Sequence, residues 1–359
     1  MPNGLPDCVW LAINILVILS FTARAFWVVV TKANPYLFII LIKSLKFHAL
    51  MKGSSVKFAS LLALTAAPLA LFAGSAAFAD DHATAKATVP ATSGNGPAMW
   101  MVADEDTTIY LFGTVHVLPE GIEWYDATIA DALTGSDIIV TEIPMDPGSE
   151  AAQQQLAMSK GVLPAGTTLR SLMSPEQTII YEAALAKVGA PPAAFDQFKP
   201  WLTGLTLSLI PLMQQGYTPG AGVEKVLLSK AGDKPQGALE TAEYQFDIFD
   251  GMDQTAQIAF LMEAAEGMDE VKPMLDRMVA KWAEGDADEL AAIMNEGMTD
   301  PAIAEALLYT RNANWAEWVG ERLDQPGAVF IAVGAGHLAG ARSVQDNLAE
   351  KGITVTRIK

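Results

Sequence analysis

A chain of 359 residues with 23 Lys and Arg against 41 Asp and Glu carries a net charge of −18, the sign that repels a phosphate backbone, so a nucleic-acid footprint is excluded. Its 51% hydrophobic content is too high for a disordered polymer and sufficient for one large core. The single cysteine, Cys8, excludes a disulfide framework and Cys-based metal sites.

Residues 51–79 show the three regions of a secretory signal peptide: a basic start at Lys52 and Lys57, an apolar body, and the small-residue end Ala77-Phe78-Ala79. Met51 then reads as the natural initiator, and 1–50 as an upstream extension from a start codon assigned too early. The alternative is a membrane anchor through 9–30, an apolar run long enough to span a bilayer. Loss of 1–79 removes Cys8 and six basic residues against one acid. The product is a more acidic protein, expected in the periplasm or secreted, with no membrane partner. Residues 80–97, rich in Ala, Thr, Gly and Pro, read as a flexible linker, and 98–359 as one domain.

The domain opens with a strand over 98–103, a polar turn at Asp104-Glu105-Asp106, and a second strand over 107–113, a hairpin pattern. This second strand stops at Gly113 and is followed by His116. After a turn at 118–121 a helix runs to about Leu133, and the strand 137–142 delivers Glu142 at its end. A strand, helix, strand unit of this length is a parallel crossover, which brings both strand ends to one sheet edge, where ligands of open α/β sheets bind. Residues 149–231 read as helices punctuated by prolines, with Leu202, Leu205, Leu209 and Leu212 at core spacing. A short strand over 235–239 ends at Glu240. Helices continue to Gly320, carrying methionines that suit adaptable packing better than a metal site. The run 328–334 is a strand ending at Gly334, with His337 after it. A helix over 341–350 and a strand over 353–358 complete a second crossover-like unit. The fold class is therefore α/β: a small mixed or mostly parallel sheet with a large helical insertion between the two strands that each end in Gly and then His.

Of the four histidines, His48 and His82 fall outside the domain, so the remaining two share one local context. His116, His337 and Glu142 together offer two imidazoles and a carboxylate. Such a set suits a catalytic divalent cation with open positions for water and substrate. It also suits metal-free hydrolysis, one histidine acting as general base and Glu142 orienting it. Glu240 joins the site if its strand lies in the same sheet, and Arg311 is placed to hold a carboxylate or a substrate oxyanion. A non-catalytic site that binds haem or a small peptide is the reading from a different class.

The paired motifs Gly113-Thr-Val-His116 and Gly334-Ala-Gly-His337, with Glu142 between them, resemble the TraB/GumN superfamily, which includes the TIKI metalloproteases and PrgY. Gly222-Val-Glu224, the stretch Ala238-Leu-Glu240-Thr-Ala-Glu243 and Arg311-Asn312 are similar to family segments in the same order. The resemblance covers 100–359. It implies a fold related to erythromycin-esterase-like and ChaN-like proteins, and an activity supported by Mn²⁺ or Co²⁺, with Zn²⁺ as a further candidate. It also implies that His116, Glu142 and His337, with Glu240, are metal-binding or catalytic, Arg311 supporting them. The expected activity is metal-dependent hydrolysis of peptide bonds in a peptide or protein substrate. TIKI proteins are animal membrane-anchored proteases, whereas this chain reads as a bacterial export product, so the substrate does not transfer with the fold.

Overall fold

The computed structural model describes residues 96–298 and 301–359. The expected signal peptide, the expected upstream extension and nearly all of the expected linker lie outside the described residues. Among the described residues no helix is long and apolar enough to cross a membrane.

Strands β1 (Met99–Ala103) and β2 (Thr107–Thr114) form the expected hairpin, with Met99 opposite Phe112 and Ala103 opposite Thr108. Its turn is fixed by Asp104, whose carboxylate accepts from the backbone N–H of Asp106 and Thr107. After the short β3 (Leu118–Pro119), helix α1 (Ala127–Gly135) starts at the cap Asp126, which accepts from the Ile129 N–H. It leads to β4 (Ile138–Thr141). Then come α2 (Pro147–Gly161), α3 (Pro175–Lys187), α4 (Pro200–Gln214), β5 (Tyr217–Thr218), α5 (Val223–Ala231), β6 (Gln236–Ala238), α6 (Ala242–Asp250), α7 (Gln254–Glu266), α8 (Met268–Glu284) and α9 (Ala287–Gly297). The short α10 (Pro301–Ala304) runs into a π-helical turn, Glu305–Tyr309, and then α11 (Thr310–Leu323). Strand β7 (Gly327–Gly334), a 3₁₀ turn at Ala335–Leu338, α12 (Val344–Glu350) and β8 (Val355–Arg357) end the chain.

The main sheet has the order β6-β4-β7-β2-β1-β8. Strands β6, β4, β7 and β2 are mutually parallel, so the crossover from β2 through α1 to β4 is present, with β7 inserted between its strands. Side-chain alternation decides the layers. On β7, Phe330 and Ala332 face a core built with α1, α5, α8 and α9. Val329, Ile331 and Val333 face the opposite core, closed by Trp315, Ala316 and Val319 of α11 and Leu348 of α12. Helices α2, α3, α4, α6 and α7 build two further cores of their own, which is the helical insertion the sequence predicts.

One expectation is overturned at the C-terminus. Strand β8 does not complete a crossover beside β7; it pairs antiparallel with β1 at the outer edge. The reason is topological. Because β7 already has β4 on one side and β2 on the other, the chain leaving it must travel to a free edge. The helix before β8 also begins later than expected, at the capping box of Ser343 and Asp346.

Candidate functional site

The four parallel strands end side by side, and each delivers one group to the same edge. The register pairs Thr114 with Gly334 and Thr141 with Ala332. The parallel contact continues past β6, because the Glu240 N–H donates to the Glu142 carbonyl at 2.9 Å. Glu240, Glu142, His337 and His116 therefore follow one another across the sheet edge, and α11 brings Arg311 over them. All five expected residues are placed on this edge; His116, Glu142, Arg311 and His337 are buried and Glu240 is partly buried.

Arg311 organises the cluster. Its Nε donates to Glu240 at 2.9 Å, one terminal nitrogen donates to Glu142 Oε2 at 2.6 Å and also reaches Glu240 Oε1, and the other donates to the Leu307 carbonyl at 2.8 Å and faces His337 Nε2 at 3.1 Å. A guanidinium has five N–H donors, and these contacts use all five. The carboxylates that Arg311 holds are thus the protein's own, and no donor is left for a substrate oxyanion. The second oxygen of Glu142 accepts the Gly334 N–H at 2.7 Å. Gln245 of α6 donates to both Glu142 and Glu240.

These contacts fix the state of His337. Arginine can only donate, so Nε2 is the acceptor and the proton sits on Nδ1, which donates to Asn312 Oδ1 at 2.6 Å. Asn312 in turn donates from its amide nitrogen to the Arg342 carbonyl at 2.8 Å. The imidazole packs on Trp315 with ring centres 4.2 Å apart. Burial, then the charges of Arg311 and His116, hold its pKa well below 6.5. His337 is a neutral ring with both nitrogens committed.

His116 is different. Its Nδ1 stands 2.5 Å from Glu224 Oε1, an ion-pair contact without the alignment of a hydrogen bond, and its Nε2 is buried with no hydrogen-bond partner. Thr114 donates its hydroxyl to the same Glu224 oxygen. Burial pulls the His116 pKa down, but the carboxylate of Glu224, aided by Glu142, outweighs burial and leaves it raised above 6.5. Burial likewise pushes the Glu224 carboxyl up, and the His116 charge with the Thr114 hydroxyl leaves it below its ordinary value. Gly222 makes this pair possible. A Cβ there would overlap the His116 carbonyl oxygen, and the close approach lets the Val223 N–H donate to the Val115 carbonyl at 3.0 Å. Helix α5 thereby starts against the end of β2 and points Glu224 at the ring.

The expected metal set does not fit a divalent cation as arranged. The space between Glu142 and Glu240 is filled by the Arg311 guanidinium, and His337 offers no free lone pair. No group of three or more His, Cys, Asp or Glu stands in ligating geometry among the described residues. Sequence reading missed Gln245 and the pairing roles of Glu224 and Asn312. Glu224 stands in the first turn of α5 and looks like an ordinary dipole-complementing acid; its signal was the preceding Gly222.

The model of the TraB/PrgY/gumN family matches residues 98–357. An uncharacterized protein of Treponema pallidum (strain Nichols) is 23% identical over 274 residues, spanning 70% of this chain and 80% of that protein. No solved structure matches.

Proposed function

Because the chain belongs to the TraB/PrgY/gumN family, and because its sheet edge holds one imidazole nitrogen free for chemistry, we propose that it is a hydrolase of peptide bonds in which His116 is the general base. The carrying observation is the buried, unpartnered Nε2 of His116 with a carboxylate against its Nδ1. The negative charge of Glu224 beside Nδ1 favours the tautomer protonated there, which leaves the Nε2 lone pair to take a proton from the reacting water. As Nε2 takes the water proton, the growing positive charge on the ring is met by Glu224 and Glu142. The same Nε2–H then protonates the departing amine. Arg311, with Glu142, Glu240 and His337, is the rigid frame that holds the strand ends in register; it does not touch the reacting atoms. The protein works after export, on the reading of 51–79 as a signal peptide.

Hydrolysis of a peptide substrate by purified protein tests this reading. His116→Gln lowers turnover by about a hundredfold or more without loss of folding. Activity rises with pH as His116 loses its proton, with a midpoint above 6.5 because Glu224 stabilises the charged ring. Glu224→Gln moves that midpoint down. Near-wild-type turnover in His116→Gln refutes the assignment. A divalent cation, Mn²⁺ or Co²⁺, remains the second reading; it would require Arg311 to release both carboxylates. Elemental analysis of wild type and His116→Ala decides it, since metal content that depends on His116 supports the cation and equal content removes it.

A further inference from the structure

The two motifs differ at their second position, where Gly113 is followed by Thr114 and Gly334 by Ala335. Thr114 is the last residue of β2 and is fully buried. The parallel ladder sets it opposite Gly334 of β7, and a β-branched side chain is stiff at its first torsion, so its hydroxyl stands at a fixed point of the sheet edge. That hydroxyl donates to Glu224 Oε1, the oxygen that lies 2.5 Å from His116 Nδ1. Ala335 has no hydroxyl to offer. It lies against Gly113, where a Cβ would meet its Cα and Cβ at 3.0 and 3.1 Å, and the ring of its motif turns Nδ1 to the amide of Asn312 rather than to a carboxylate.

Glu224 needs such an anchor. Helix α5 is fixed to β2 through its backbone, by the Val223 N–H on the Val115 carbonyl, which leaves the rotatable bonds of the glutamate side chain able to carry the carboxylate elsewhere. A competing place is close by. Gly222, the cap of α5, has no side chain to satisfy the first N–H groups of the helix, and those groups attract an acid from their own first turn. A carboxylate that folded back onto them would leave Nδ1 of His116 without its partner. An imidazole without that partner carries its proton mainly on Nε2, the nitrogen that has to stay bare in a base.

We infer that Thr114 is a positioning residue: its hydroxyl holds Glu224 against Nδ1 of His116 and thereby selects the ring tautomer that a general base requires. The inference rests on the hydrolase reading above and adds one residue to it. The test compares wild type with Thr114→Val, which keeps the shape and loses the hydroxyl, Thr114→Ala, which copies the second motif, and Thr114→Ser, which restores the hydroxyl. Long-range proton–nitrogen NMR of the full chain with isotopically labelled histidine reads which nitrogen of the neutral ring carries the proton, the His116 signal being assigned by its loss in His116→Gln. Wild type and Thr114→Ser are expected to carry it on Nδ1, Thr114→Val and Thr114→Ala on Nε2. Turnover of a peptide falls about tenfold to a hundredfold in the Val and Ala variants, the range of one lost hydrogen bond to a charged group, with KM unchanged, and Ser recovers it. A wild-type ring protonated on Nε2, an Nδ1 proton surviving in both Thr114→Val and Thr114→Ala, or an Nε2 proton in Thr114→Ser overturns the inference. Because the tautomer is read without substrate, the expected pattern in a protein that cleaves no peptide refutes the hydrolase reading alone. Peptide cleavage that Thr114→Val leaves untouched refutes the positioning role alone.

Discussion

Arg311→Met removes the cation that pairs with both Glu142 and Glu240 while keeping an apolar side chain of similar length. Glu142 and Glu240 are each held by charge-assisted contacts, and the Leu307 carbonyl and His337 Nε2 lose a donor in the same step. Breaking a buried ion pair by removing one partner costs about 3–5 kcal/mol, and the orphaning of two acids places this variant at the upper end. For a domain of this size about 5 kcal/mol corresponds to a fall in Tm of about 10–20 °C. Urea unfolding at neutral pH measures the loss. Burial already pushes the Glu240 carboxyl above its ordinary value even with Arg311 beside it. Without Arg311 that rise is larger, so the folded variant takes up a proton that the unfolded chain does not bind until lower pH. A raised carboxyl favours folding as pH falls; the variant therefore recovers part of its deficit on acidification, and Arg311→Met with Glu240→Gln recovers part of it at neutral pH. A cost below about 1 kcal/mol, the scale of an exposed pair, or a deficit independent of pH, refutes the view of Arg311 as the cluster's internal cation.

Gly222→Ala forces a methyl into the His116 carbonyl, so α5 must back away and Glu224 with it. The expected cost is about 1–3 kcal/mol, measured by denaturant titration, with the His116 titration moving down in NMR; an unchanged His116 titration refutes the role given to this close approach. His337 and His116 pull stability in opposite directions with pH. His337 stays neutral when folded, so its contribution is lost as pH falls below 6.5, where the unfolded ring takes a proton. The raised pKa of His116 makes a contribution that is full below 6.5 and lost as pH climbs through the folded value. In His337→Gln the acid-side loss disappears, so urea midpoints fall less between about pH 7 and about pH 5 than in wild type; an identical pH profile refutes the neutral assignment.

The sheet edge was legible because its signals are local. A β-branched run cut off by Gly113 or Gly334 marks a strand end, and a following histidine marks what that end presents. The crossover length of 116–142 then puts Glu142 on the same edge. The partnerships were not legible, because they depend on which strands are neighbours. Adjacency of β2 and β7 joins segments more than two hundred residues apart, and only it decides that His116 and His337 share a site. Arg311 reads as an equal candidate for a surface position, since an amphipathic helix such as α11 has polar residues on its outer face; its burial follows from α11 lying across the strand ends. The misplaced β8 has the same origin, a neighbour relation that no window of sequence contains.

The two motifs look equivalent in sequence, yet the structure gives their histidines opposite chemistry, and the difference lies entirely in the partners. A donor-only group, Arg311, meets Nε2 of His337 and consumes its lone pair, whereas an acceptor-only group, Glu224, meets Nδ1 of His116 and frees the other nitrogen. A pair of imidazoles serving one metal would each need an unprotonated nitrogen turned to a common point. Here one ring is fixed as part of the frame and the other is left able to exchange a proton. On the proposed hydrolase reading the asymmetry puts proton transfer at the first motif and support at the second, which makes His337→Gln primarily a stability variant and His116→Gln primarily an activity variant.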